Sequence, residues 1–218
     1  LEDALSILFR KTINIVGAGR TDAGVHALQI FAHVDLDGHV DQDLIFRLNK
    51  LLQKEIAVKN IISVTQDAHA RFDAVSRIYR YNITTEKNPF LQKRSYQFTK
   101  QLDLNLMNQA AKILIDHKDF KCFSKSKTDV KTYICDIQHA YWQENGSELV
   151  FFIQANRFLR NMVRAIVGTL IEVGLGKISI LDFEGILASC DRSQAGYSVP
   201  AHGLYLEKVI YPKHIFVL

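Results

Sequence analysis

The densest concentration of chemically useful residues lies in the turn Gly17-Ala18-Gly19-Arg20-Thr21-Asp22-Ala23-Gly24. It carries a carboxylate and a guanidinium two residues apart, Asp22 and Arg20, between glycines on a tight loop. Two phosphate-cradling readings of those glycines fail. A dinucleotide fingerprint needs a third Gly where Asp22 stands and a helix where Val25 begins a strand-like pattern. A Walker loop needs Gly-Lys-Ser/Thr, which the turn lacks. What remains is the chemistry of one carboxylate beside a positive charge. The plainer alternative has Asp22 hydrogen-bonding its own turn, as Asp often does.

Further candidates are spread along the chain. Tyr79 shares one face of a strand pattern with Arg77, Tyr81 and Ile83; a lone Tyr in that setting is most simply a core aromatic. Arg157, Arg160 and Arg164 fall outside the apolar stripe of the segment from Phe158 to Val173. Basic residues cluster at Lys121, Lys125, Lys127 and Lys131, at Lys87, Lys93, Arg94 and Lys100, and at Arg157 with Arg160. Any one such cluster is most simply a solvated face. Cys122, Cys135 and Cys190 are far apart and outside any CxxC spacing, which fits a reduced, cytoplasmic protein without structural zinc.

The elements that must position these residues follow from periodicity and punctuation. Leu1, Leu5 and Leu8 form one stripe, so Leu1 to Arg10 reads as the later part of an amphipathic helix. Ile13 to Val16 reads as a short strand, and Val25 to Val34 alternates as a half-buried one. Leu44, Ile45, Leu48, Leu51 and Leu52 make a helical stripe, and Ile56 to Val64 and Ser76 to Thr84 read as strands. Glu86 to Lys100, with Asn88-Pro89, is the best boundary, dividing the chain into 1–92 and 93–218. A helix follows along Leu106, Met107, Ala110, Ala111, Ile113 and Leu114. Tyr133 to Trp142 and Glu148 to Ala155 flank Asn145-Gly146 and predict a hairpin. A helix over Phe158 to Val173, another near Ile180 to Ser189 and a strand over Leu204 to Tyr211 complete the pattern. The class is α+β, a mostly antiparallel or mixed sheet with helices packed on it.

Composition limits what such an assembly could be. With 218 residues, 48% hydrophobic and 23% charged, the chain is neither disordered, collagenous nor a disulfide scaffold. Its 27 Lys plus Arg against 23 Asp plus Glu permit a polyanionic partner without demanding one. Even Phe158 to Val173 carries Arg160, Asn161 and Arg164, so no apolar run reaches the ~20 residues of a membrane span. No signal peptide is expected.

Gly19-Arg20-Thr21-Asp22-Ala23-Gly24-Val25-His26-Ala27 resembles the signature of the bacterial tRNA pseudouridine synthase A family, which isomerises uridine in the anticodon stem-loop. Later segments are similar to that family in the same order. Arg71-Phe72 with Arg77-Ile78-Tyr79-Arg80-Tyr81 resembles its Arg-x-Tyr-x-Tyr strand, and Asp119-Phe120 with Phe123-Ser124 its second-half entry motif. Phe158-Leu159-Arg160-Asn161-Met162-Val163-Arg164 followed by Gly168 resembles its arginine-bearing helix. Pro200, Gly203-Leu204-Tyr205-Leu206 and Val209-Ile210-Tyr211 resemble its closing strand. Members begin with a strand and a Gly-rich Asp-Gly segment ahead of the helix that Leu1 to Arg10 finishes, so further residues are expected upstream of Leu1; if that strand were truly missing, a sheet would expose an unpaired edge. The Arg that many members carry near Thr132-Tyr133-Ile134-Cys135 is also absent.

The resemblance implies a pseudouridine synthase fold of two halves, each a mostly antiparallel sheet with helices on one face, and a cleft between them. It implies catalytic roles for Asp22, Tyr79 and Arg164 and substrate binding by Arg20, Thr21, Tyr79 and Arg160. Neither cofactor nor metal is implied. Tyr79 would offer a flat face to an extruded uracil and a hydroxyl near its carbon 5. Arg164, if its helix face is buried, needs an anion, and Asp22 is the natural partner; the alternative is a side chain snorkelling to solvent. The implied partners are tRNA and a second copy of the chain. One rival is a non-catalytic RNA-binding protein that retains the fold. Another, a small-molecule lyase or glycosidase, would need a second carboxylate near Asp22, with Asp73 the nearest candidate by motif.

Overall fold

A computed structural model of the chain describes residues 1–36, 40–41, 43–125 and 130–217. Lys127 lies outside the described residues. The helices are α1 (Glu2–Phe9), α2 (Leu44–Leu51), α3 (Leu104–Asp116), α4 (Met162–Gly174) and α5 (Ile180–Ser189). The strands are β1 (Val16–Gly17), β2 (His26–Ala27), β3 (Ala32–His33), β4 (Ser76–Thr84), β5 (Tyr96–Gln97), β6 (Ile137–Asn145), β7 (Glu148–Ala155) and β8 (Leu204–Ile210). Contacts divide the chain into two compact units. One takes Leu1–Arg20, Ile30–Val75 and Tyr211–Leu218, and the other takes Thr21–Gln29 and Ser76–Ile210.

The first unit is built on α1 and α2, whose inward residues Ala4, Leu5, Leu44 and Leu48 bury against Ile13. β1 and β3 pair antiparallel beside them, Val16 opposite His33. Val25 to Val34, expected as one strand, is two short ones. β2 pairs in parallel with β8, and β3 pairs with β1 in a different sheet. The apolar alternation does not mark the covered face: Leu28, Ile30 and Ala32 are exposed while Gln29, Phe31 and His33 are half-buried, and the chain passes from one unit to the other between Gln29 and Ile30. The strand expected over Ile56 to Val64 is also absent, apart from a single bridge between Val64 and Phe216. Val58 instead exchanges two hydrogen bonds with the side chain of Asn49, at 2.8 and 2.7 Å, and Ile56, Ile61, Ile62 and Val64 remain exposed.

The second unit holds the large core. Its sheet runs β2-β8-β4-β7-β6, with β5 beside the end of β4. β4 lies antiparallel to both β7 and β8, while β2 and β5 join in parallel, so the sheet is mixed. In β7 every second residue, Leu149, Phe151, Ile153 and Ala155, is buried, the period a one-sided sheet requires. These residues share a core with Tyr81 and Ile83 of β4, Met107 and Leu114 of α3, and Ile166 and Leu170 of α4. The hairpin forms, with its turn one residue later than expected. Asn145 pairs with Glu148, leaving Gly146-Ser147 as the loop, and Gly146 takes φ 60°. Glycine at the first of two loop positions is the requirement of a type II′ turn.

α4 is the centre of this unit. Of its 13 residues all are buried except Arg164 and Glu172, so it has almost no solvated face. No helix among the described residues is long and apolar enough to cross a membrane.

Candidate functional site

Asp22 is presented by a short turn in which Val25 N–H donates to the Asp22 carbonyl at 3.1 Å. Gly24 closes that turn at φ 84°, a left-handed conformation that L side chains rarely adopt. The chain then enters β2, and its pairing with β8 fixes the turn to the central sheet. The Asp22 side chain is 26% exposed, a carboxylate open on one side only.

The helix expected over Phe158 to Val173 starts four residues late, at Met162. Asn161 is the reason: it sits at φ 67°, outside helical geometry, and its side-chain amide donates to Ser198 Oγ at 2.6 Å. Arg160 therefore lies on the lead-in and Arg164 on the first turn of α4. Both reach Asp22. Arg164 donates from Nη1 to Asp22 Oδ2 at 2.8 Å, while Arg160 Nε stands 3.9 Å from Oδ1. The two differ in kind, since the Arg164 side chain is 20% exposed and that of Arg160 is 61% exposed. A second nitrogen of Arg164, Nε, donates to the Val199 carbonyl at 2.7 Å, so the guanidinium is held from two sides. Charge-assisted bonds of this type contribute roughly 1.5–3 kcal/mol each.

Val199 belongs to a strap, residues 192–200, that sequence reasoning did not assign to the site. Arg192 donates to the carbonyls of Ala195 and Gly196 and to Ser198 Oγ, at 3.1 to 3.2 Å. Gly196 N–H donates to Thr169 Oγ1 at 2.9 Å, and Val199 N–H returns to the Arg164 carbonyl at 3.2 Å. The strap thus lies directly on α4. A Cβ added at Gly168 would stand 1.8 Å from the Tyr197 carbonyl oxygen, so only glycine lets the two backbones approach this closely. At the far end Tyr81 Oη donates to the Pro200 carbonyl at 2.8 Å. The available signal was the pair of glycines, Gly168 and Gly196, each where a side chain would collide.

Tyr79 is on β4, half-buried, with its ring meeting Phe158 edge-on at 5.1 Å and 87°. Burial pushes its hydroxyl up to about 12; nearby Arg77 opposes that shift and the Asp22 carboxylate adds to it. The hydroxyl stays protonated through the neutral range, available as a donor and not as a base. Tyr79 and Asp22 are therefore within electrostatic reach of each other.

The remaining candidates are placed as follows. Arg20 and Thr21 are exposed. Asp73 Oδ2 accepts from His69 N–H at 2.6 Å, which engages that carboxylate in its own loop. Lys125 N–H donates to the Arg160 carbonyl at 3.0 Å, joining the lysine segment to the lead-in of α4. Lys87, Lys93, Arg94, Lys100, Lys121 and Lys131 are exposed. Cys122 and Cys135 are buried thiols pushed up to about 12 and about 11 by that burial. Among the described residues no group of three or more His, Cys, Asp or Glu is arranged to hold a metal ion.

A family model described as tRNA pseudouridine synthase matches residues 110–212. The chain is 52% identical over 219 residues to a tRNA pseudouridine synthase A of Parabacteroides distasonis, covering 99% of this chain and 86% of that protein. It is 50% identical over 222 residues to the corresponding protein of Porphyromonas gingivalis, covering 100% and 88%. To that of Bacillus subtilis it is 41% identical over 216 residues, covering 97% and 87%.

Proposed function

Because the chain belongs to the tRNA pseudouridine synthase A family and is an isomerase of tRNA uridines, we propose that Asp22 is the carboxylate that carries its chemistry. The observation behind this reading is the tethering of Asp22: Oδ2 is fixed by Arg164, and among the described residues Oδ1 faces only the longer, exposed contact with Arg160. Oδ1 is then the oxygen presented to the nucleoside.

Conversion of uridine to pseudouridine breaks the bond between ribose C1′ and uracil N1 and forms one between C1′ and C5. The proton at C5 leaves and N1 gains one, so nothing is oxidised or reduced. One carboxylate suffices because no external water enters, unlike glycoside hydrolysis with its paired carboxylates. Arg164 holds that carboxylate in a single orientation. Tyr79 offers a flat face to the extruded uracil and a protonated hydroxyl near its carbon 5. Arg20, Thr21 and Arg160 contact the substrate around it, with Arg20 replacing the lost stack or holding a phosphate.

The uridine must leave its stack before Asp22 can touch it, at a cost of about a few kcal/mol that stacking and phosphate contacts offset. The region served is the anticodon stem-loop, read by shape and backbone, and the acting species is a homodimer in the cytoplasm. Support for these finer assignments is the family signature at Gly19–Ala27 together with exposed basic residues such as Lys121, Lys131 and Arg160.

The test is release of tritium from tRNA labelled at uridine carbon 5. Asp22→Asn is expected to abolish release while leaving tRNA binding within a few-fold of the parent protein, roughly the range left by a lost contact that carries no phosphate. Release unchanged in Asp22→Ala would remove Asp22 from the chemistry. Binding without release in the parent protein would favour an RNA-binding protein that kept the fold.

A further inference from the structure

Phe72 is a large apolar ring that the fold leaves 72% exposed. It is not a loose side chain on a loose loop. His69 Nδ1 accepts from the N–H groups of both Arg71 and Phe72, at 3.1 and 3.3 Å. Asp73 closes the same loop from the other end: Oδ2 accepts from His69 N–H at 2.6 Å, and its own N–H donates to the His69 carbonyl at 3.1 Å. Ala70 is held twice, its N–H donating to His33 Nδ1 at 2.9 Å and its carbonyl accepting from Tyr211 Oη. Since Nδ1 accepts in both histidines, the proton of each neutral ring sits on Nε2.

The rings form a short series. His33 meets His69 at 4.8 Å, and His69 lies under Phe72 at 4.2 Å with 32° between planes. The Arg71 guanidinium carbon stands 5.6 Å from the Phe72 centroid. One face of Phe72 is therefore backed by an aromatic ring and flanked by a cation, and the rest of the ring is in solvent. An exposed aromatic on a preordered loop with a neighbouring cation is the arrangement on which unpaired nucleic-acid bases stack.

We propose that Phe72 is a stacking platform for an unpaired base of the tRNA substrate, separate in role from the residues that act on the target uridine. The inference rests on tRNA as the substrate. Stacking on one ring tolerates any base, so Phe72 adds affinity for the RNA without choosing its sequence.

The test is tRNA affinity across a salt series for Phe72→Ala, Phe72→Leu and Phe72→Trp, with thermal melting of each. Phe72→Ala and Phe72→Leu should bind tRNA at least about 5-fold more weakly than the parent, with the slope of log Kd against log salt unchanged because no phosphate contact is lost. Phe72→Trp should bind as the parent does, and its new exposed indole should be quenched by tRNA; the sole native tryptophan, Trp142, is buried. If Phe72→Ala also melts early, quenching in Phe72→Trp decides: no quenching overturns the proposal. Parent-like affinity in Phe72→Ala overturns it outright. Parent-like affinity in Phe72→Leu alone would mean that apolar bulk matters, as for a protein partner, and the stacking role falls. A folded parent protein that does not bind tRNA would overturn the substrate reading instead.

Discussion

Arg164 makes two hydrogen bonds from two different nitrogens, Nη1 to Asp22 and Nε to the Val199 carbonyl. Lysine carries one nitrogen and cannot reproduce that fork. Arg164→Lys should therefore lower tritium release by about 10- to 100-fold despite the conserved charge, the scale on which misplacing a reacting group acts. Steady-state assays on Arg164→Lys should place that loss in kcat; a variant with parent-like kcat would show that charge alone suffices. Tyr79 gives a pH prediction. Its hydroxyl is pushed up to about 12 from an ordinary value of 10.0, so the folded state holds this proton more tightly than the unfolded state. The stabilisation is fully present below pH 10.0 and is lost as pH rises toward about 12. Tyr79→Phe should flatten the fall in melting temperature across that window. A parent and variant that lose stability in parallel would exclude the contribution.

At the level of elements, the site depends on a strap that has no regular secondary structure. Arg192 fastens residues 195–198, and that strap carries the Val199 carbonyl to Arg164. Arg192→Ala should lower kcat by about 10-fold while KM for tRNA changes little, because the side chain acts on the orientation of Arg164 and not on RNA. Partial recovery in Arg192→Lys is expected, and a rise in KM with unchanged kcat would contradict the positioning role.

The elements themselves were unevenly legible. β4, β7 and α5 occupy the residues that alternation and helical period mark, because each makes its main contacts within one unit. Val25 to Val34 misled because its apolar residues Leu28 and Ile30 are left exposed and its two ends pair in different sheets. Asn161 misled because the apolar period runs straight through a residue whose backbone is left-handed. Asp22, Arg164 and Tyr79 could be singled out from a motif of residue types, whereas Val199 could not, since it contributes only a carbonyl that every residue possesses.

Across the whole molecule the two units differ in how much core they contain. Among the described residues the second is knit by Tyr81, Phe151, Ile153, Ile166, Leu170 and their neighbours, and the first by Ala4, Leu5, Ile13, Leu44 and Leu48. Opening free energy follows buried apolar contact. Amides of α1 and α2 should therefore exchange with solvent well before those of β4, β7 and α4 in native-state hydrogen exchange. Equal protection in both units would indicate a single cooperative structure.

The path of the chain between the units also has a consequence for synthesis. The first unit contains residues 1–20 and 30–75, yet Val64 pairs with Phe216 and Thr65 N–H donates to the Ile215 carbonyl. A ribosome delivers those partners only after Ser76–Ile210. Residues 1–20 and 30–75 must wait, incomplete, while the whole of Ser76–Ile210 is made and can fold around α4. Vectorial folding is thus reversed in this part of the chain: residues 76–210 can finish their structure first, and the unit holding residues 1–20 and 30–75 is sealed only when Tyr211 to Val217 follow.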